Sequence, residues 1–219
     1  MTALRKITRQ LCLVAALGFA ATSANATVVS YYLDQSNDEL DGINYATVTI
    51  KDGADASNVE YVDFMVEVNL AAFDAIGTGR GPNFGMQDFY FNYNLALDLD
   101  VANIINIDPA SWDINANKNA GGGFGKFEFQ LKGDGSDRTV YLSFSIAGVD
   151  GDTVADYAMS GDTDPELNSA EFFATHIADY NGGDSAKFGG STLVPVPAAV
   201  WLMGSALAGL GFMRRKKIV

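Results

Sequence analysis

The chain has 219 residues and a formal net charge of −13, with 27 Asp and Glu against 14 Lys and Arg. Three cations, Arg5, Lys6 and Arg9, stand at the start and four, Arg214, Arg215, Lys216 and Lys217, at the end. That leaves seven to face all 27 acids, which lie between Asp34 and Asp184, so the middle carries −20. Such a surface repels nucleic acid and excludes it as a partner.

The first 26 residues have the three parts of a secretory leader: the charged segment Arg5–Arg9, an apolar run from Leu11 to Ala21, and the small-x-small triplet Ala24-Asn25-Ala26. The spacing predicts export through the Sec route and signal-peptidase cleavage between Ala26 and Thr27. The sole cysteine, Cys12, lies inside this leader, at the wrong end of the apolar run for lipidation. Its loss leaves no thiol for a disulfide, a zinc–thiolate site or a cysteine nucleophile.

From Thr27 to Gly190 the pattern turns to period two, the mark of half-buried strands. Val62, Phe64, Val66, Val68 and Leu70 alternate with Tyr61, Asp63, Met65, Glu67 and Asn69. A longer alternation runs from Phe89 to Val101, with a break expected near Leu97. Phe127, Phe129 and Leu131 alternate with Glu128, Gln130 and Lys132, and Val140, Leu142, Phe144 and Ile146 with Tyr141, Ser143, Ser145 and Ala147. Weaker strands are predicted over Thr27–Leu33, Tyr45–Lys51, Ser111–Ala116 and Glu171–Tyr180, and one short helix over Leu70–Ile76. Asp41-Gly42 and Asp52-Gly53 read as turns, Gly133–Asp137 as a hairpin loop, and the glycine-rich stretch Gly182–Gly190 as a linker. Of the 27 acids 21 are Asp, and 23 residues are Gly, a composition that favours turns. The expected fold for 27–190 is all-β, an antiparallel β-sandwich of jelly-roll-like form.

Residue types within this domain point to binding rather than catalysis. Asp162, Asp164 and Glu166, at every second position, form one candidate calcium site, although Pro165 breaks the loop pattern of a helix–loop–helix calcium site. Asp150, Asp152 and Asp156 form the other, since calcium takes clustered carboxylate oxygens. Tyr61, Tyr90 and Tyr141, on the polar sides of strands, and Trp112, before a turn, are candidate platforms for sugar rings, whose C–H faces stack on aromatic rings. The lone histidine, His176, reads as structural, because no nucleophile motif accompanies it. With 27 acids some carboxylate pair falls at a hydrolytic separation by chance, so no catalytic residues are assigned and no enzymatic activity is expected.

The tail, 191–219, is built differently. Val194, Pro195, Val196 and Pro197 form a Pro-x-Pro segment, and an uninterrupted run of small and apolar residues follows from Ala198 to Met213. As a helix that run rises about 24 Å, and with Leu193–Pro197 it approaches the thickness of a bilayer core. Arg214, Arg215, Lys216 and Lys217 act as a membrane stop held in the cytoplasm, with the domain outside. The order Pro-x-Pro, Ala-Ala-Val-Trp-Leu, Gly/Leu-rich span and basic end closely resembles the PEP-CTERM sorting domain of exopolysaccharide-producing Gram-negative bacteria. That resemblance covers about 27 residues and departs at Val196, where the namesake motif has Glu. It implies recognition by an exosortase, a transient stay in the inner membrane, cleavage near the Pro-x-Pro, and release to the cell surface or extracellular matrix. It also implies the company of exopolysaccharide and a structural or adhesive role in biofilm or floc formation. The competing reading is a carbohydrate- or calcium-binding module kept on a single-pass anchor.

Overall fold

The structure, a computed structural model, describes residues 27–54, 60–160 and 170–194. The strands in chain order are β1 (Val28–Leu33), β2 (Gln35–Ser36), β3 (Ala46–Ala54), β4 (Glu60–Val68), β5 (Arg80–Phe91), β6 (Ile104–Asp108), β7 (Asp113–Asn119), β8 (Lys126–Lys132), β9 (Tyr141–Ala147), β10 (Phe173–Tyr180), β11 (Asp184–Gly190) and β12 (Thr192–Leu193). Among the described residues they form two six-stranded sheets with antiparallel pairing throughout. The first runs β12-β1-β3-β4-β9-β6 and the second β2-β11-β10-β5-β8-β7.

The alternation in β4 explains why the sheets face one another. Val62, Phe64, Val66 and Val68 are buried, while Tyr61, Asp63, Met65 and Glu67 stand on the opposite face. Phe64 stacks on Phe144 of the neighbouring β9, with centroids 4.5 Å apart, and meets Phe91 of the second sheet at 5.2 Å. Phe89, Phe129, Phe173 and Phe188 extend the same core from the second sheet. Tight aromatic pairs of this kind add about 0.5–1.5 kcal/mol beyond the area they bury. The short helix α1 (Leu70–Asp74) closes one end by burying Phe73 against Tyr45 and Tyr180. Among the described residues no helix is long and apolar enough to cross a membrane.

Several expectations are corrected. The alternation from Phe89 to Val101 breaks well before Leu97: β5 ends at Phe91. Beyond it Asn92 is buried and donates to the Met159 carbonyl at 3.2 Å, and the Asn94 N–H donates to the Asp156 carbonyl at 2.7 Å. Those bonds tie the chain to a loop and end its ladder. Asp52-Gly53 lies inside β3, paired with Val62 and Tyr61, rather than at a turn. Gly133–Asp137 is no hairpin loop, because β8 belongs to the second sheet and β9 to the first. The Trp112 indole packs on Gly133 and donates to the Asp137 carbonyl at 3.1 Å, guiding the crossing.

The stretch Gly182–Gly190 is not a linker but a turn followed by β11, and the domain continues through β12 to residue 194. Its last two glycines mark close packing. A Cβ on Gly189 would come within 2.6 Å of the Phe124 ring, and one on Gly190 within 2.0 Å of the Tyr32 carbonyl oxygen.

Candidate functional site

The outer face of the first sheet carries a shallow depression of about 370 Å³. The register sets its floor. Thr49, Met65 and Ser143 form one row across β3, β4 and β9, and Lys51, Asp63 and Ser145 form the next. In β9 the core residues Leu142, Phe144 and Ile146 force the alternate positions outward, and there the sequence places two small serines beside the larger Tyr141. The floor is low because those serines are short, and Tyr141 rises at one end with 39% of its surface exposed.

The remaining wall comes from the edge strand β6. Its pairing with β9 slips between Ile105 and Asp108, and Asn106 within the slip has φ +55°, a left-handed conformation that Asn tolerates better than most residues. Bulges of this kind re-aim side chains, and Asn106 lines the depression. Ser145 donates to Asp63 Oδ1 at 2.7 Å, which fixes the carboxylate within the floor. The site therefore presents hydroxyls, an amide, a carboxylate and an ammonium beside one aromatic ring, with Met65 as apolar floor.

The four aromatic candidates divide. Tyr141 borders the depression. Tyr61 stands on the same face, six positions away along the β4–β9 register or roughly 20 Å, with its ring laid over Gly53. Trp112 and Tyr90 are corrected: only 4% and 2% of their surfaces are exposed, so neither offers a ring face to a sugar. The Trp112 indole is consumed by the Gly133 crossing, and the Tyr90 hydroxyl accepts from Gln130 Nε2 at 2.9 Å. Burial pushes the Tyr90 phenol well up, Asp88 adds to that, and Gln130 opposes it.

Of the second acidic cluster, Asp156 and Asp152 are engaged in bonds within their own loop. Asp156 accepts from Asn94 Nδ2 at 2.9 Å and from the Thr153 N–H and hydroxyl at 2.9 and 2.8 Å, capping the 3₁₀ turn Val154–Tyr157. Asp152 accepts the Tyr157 hydroxyl proton at 2.5 Å, and burial pushes its carboxyl above the usual range against that bond. Asp150 is exposed and apart from these bonds. Among the described residues no group of three or more His, Cys, Asp or Glu is placed to hold a metal. Asp162, Asp164 and Glu166 lie outside the described residues, as do Ala24, Ala26, Pro195, Val196, Pro197 and the stop residues Arg214, Arg215, Lys216 and Lys217. Val194 is described, and its N–H donates to the Ser30 carbonyl at 2.8 Å.

Of the depression's residues, Tyr141 was legible as an aromatic on a polar strand face. Ser143 and Ser145 had a weaker signal, two small residues opposite a core stripe, and Asn106 had none. Comparison with family models, with characterised proteins and with solved structures finds no match to this chain, so its function is read from its own residues.

Proposed function

We propose that this is an exported protein of the cell surface or extracellular matrix whose β-sandwich holds neutral glycan chains, giving it an adhesive, structural role in a biofilm or floc. The observation that carries this reading is the open depression on the first sheet with the Tyr141 ring at its end. A half-exposed ring beside hydroxyl and amide groups suits a sugar, which offers C–H area on its faces and hydroxyls at its rim. The ligand is neutral because the domain carries seven cations against 27 acids, a net of −20, and repels polyanions. Asp63 and Glu67, the carboxylates on this face of β4, stand four residues apart, about 13 Å along a strand. Glu67 does not line the depression, so its described lining residues offer the Asp63 carboxylate where glycoside hydrolysis uses a pair, which favours holding over cutting.

The delivery half of the proposal rests on the tail. The Pro-x-Pro of Val194–Pro197, the apolar run and the four terminal cations support PEP-CTERM-like sorting by an exosortase from the inner membrane. Repeated crossing of the chain between two antiparallel sheets supports the jelly-roll-like form expected for such a module.

Affinity electrophoresis of the purified protein in gels containing neutral or acidic polysaccharide tests the binding half. The wild type should be retarded by a neutral polymer and not by an acidic one. Tyr141→Ala should lose about tenfold in affinity, or about 1.4 kcal/mol, with its thermal midpoint unchanged, because the ring is not part of the core. Equal retardation of wild type and variant would sink the assignment of the depression.

A further inference from the structure

On the outer face of the second sheet one row crosses four strands: Lys187 of β11, His176 of β10, Asp88 of β5 and Lys132 of β8. Asp88 is buried, and its two oxygens are used differently. Oδ1 accepts from Gln130 Nε2 at 2.8 Å, while Oδ2 lies 3.6 Å from His176 Nδ1 and 3.9 Å from Lys187 Nζ.

Lys187 is held by its backbone and its stem. Its N–H donates to Asn37 Oδ1 at 2.6 Å, and its carbonyl accepts from the Asn37 N–H at 3.2 Å. The turn between β7 and β8 lies on its aliphatic stem, so closely that a Cβ on Gly122 would fall 2.9 Å from Lys187 Cβ. Gly122 has φ +63°, so glycine serves both the turn and this contact. The ammonium stands 5.7 Å from the centre of the Tyr90 ring. Burial pushes the Lys187 ammonium toward its neutral form, Asp88 opposes that, and Lys132 assists it. Long lysine side chains usually spend their freedom in solvent. Here the backbone is pinned and the stem covered, with the ammonium 3.9 Å from an Asp88 oxygen, an arrangement that favours an intramolecular reaction.

We propose that Lys187 and Asp88 condense into an intramolecular isopeptide bond that braces β11 to β5 across β10. Lys187 Nζ, once neutral, attacks Asp88 Cγ as a desolvated amine nucleophile. The charge that develops on Oδ1 is met by the Gln130 amide N–H already directed at it. His176 relays a proton from the ammonium to Oδ2, a general acid–base role that its 3.6 Å separation from Oδ2 allows once the pair closes or through one bridging water. The Nζ–Cγ bond forms and the Cγ–Oδ2 bond breaks. Both protons lost by the ammonium leave on Oδ2 as water. Carboxylate and ammonium thus give amide and water, with no oxidant, reductant or co-reactant. The mature chain expected here has no cysteine, and this bond would serve it as disulfides serve other exported domains.

Peptide mapping of the purified, folded full chain decides the matter. The expected product is a branched peptide that joins the segment containing Asp88 to the segment containing Lys187 and is lighter by one water than their sum. Lys187→Arg and Asp88→Ala should yield only linear peptides, and His176→Gln should accumulate the branched species more slowly. Recovery of Lys187 from the wild type solely in linear peptides with a free ε-amine overturns the proposal whatever the variants do. Such a result would leave the glycan reading untouched, because glycan retardation reports on Tyr141 at the other sheet.

Discussion

At the scale of single residues, the acids of this domain are spent on its own loops. Asp156 illustrates it, with Asn94 and Thr153 filling its carboxylate while the turn Val154–Tyr157 depends on it as a cap. Removing a capping interaction of this kind costs about 1 kcal/mol, so Asp156→Ala should lower the unfolding free energy by that order, read as a lower denaturation midpoint. The pH dependence follows from the same bonds. Burial alone would raise the Asp156 carboxyl, but the bonds from Asn94 and Thr153 outweigh it and hold it below its ordinary value. A carboxyl lowered by folding contributes stability above its unfolded value, about 3.9 for Asp, and loses that contribution as pH falls through the folded value. Thermal midpoints taken from about pH 6 to pH 2 should therefore fall less steeply for Asp156→Ala than for the wild type. Asp152, raised by burial, acts in the opposite sense and favours the fold on the acid side. A variant slope as steep as the wild-type slope would show that the Asp156 bonds do not persist in solution.

At the scale of elements, the glycines of β11 decide whether the second sheet closes against the first. Ala186 and Phe188 enter the core, while Gly190 lies so near β1 that a methyl group would reach 2.0 Å from the Tyr32 carbonyl. Backbone is on both sides of that contact, so Gly190→Ala should cost about 1–3 kcal/mol by overpacking, read as a shift in urea midpoint with no change in slope. An unchanged midpoint would mean that β11 and β1 separate without cost. This strand also shows where sequence reading stops. β4 and β9 were legible because an apolar stripe alternates with polar residues against a single core. Asp-Ser-Ala-Lys-Phe-Gly-Gly has the composition of a linker, and only packing against Phe124 and β1 reveals it as a strand. The run from Phe89 to Val101 failed in reverse: its alternation is real, but Asn92 and Asn94 find partners in the loop around Asp156 that no local pattern reports. For the candidate site, Tyr141 was visible from strand alternation, whereas Asn106 depends on a slip in β6. Asp88 and Lys187 meet only because β10 brings their strands into one sheet.

At the scale of the whole molecule, both ends of the folded domain lie at one edge of the first sheet. The Thr27 carbonyl accepts from the Asp52 N–H at 3.0 Å, so the first residue expected after leader removal is already bonded to the sheet. At the other end Leu193 pairs with Tyr31, and the Val194 N–H donates to the Ser30 carbonyl. Among the described residues the ladder runs to this bond, and Pro195, next in the sequence, has no N–H with which to extend it. A peptidase that cut before Val194 would have to peel β12 from β1, whereas one that cut at the Pro-x-Pro would leave the sandwich whole. On the proposed sorting route, cleavage at the Pro-x-Pro gives a definite expected product. The intact mass of the mature protein from its native host should correspond to a chain that begins at Thr27 and ends between Val194 and Val196. Loss of both ends also removes all seven terminal cations, so the same product should focus at a more acidic point than the precursor. A mature chain that still carries Val219 would overturn the sorting reading and make the tail a permanent anchor, and a C-terminus before Thr192 would show that β12 is not held in solution.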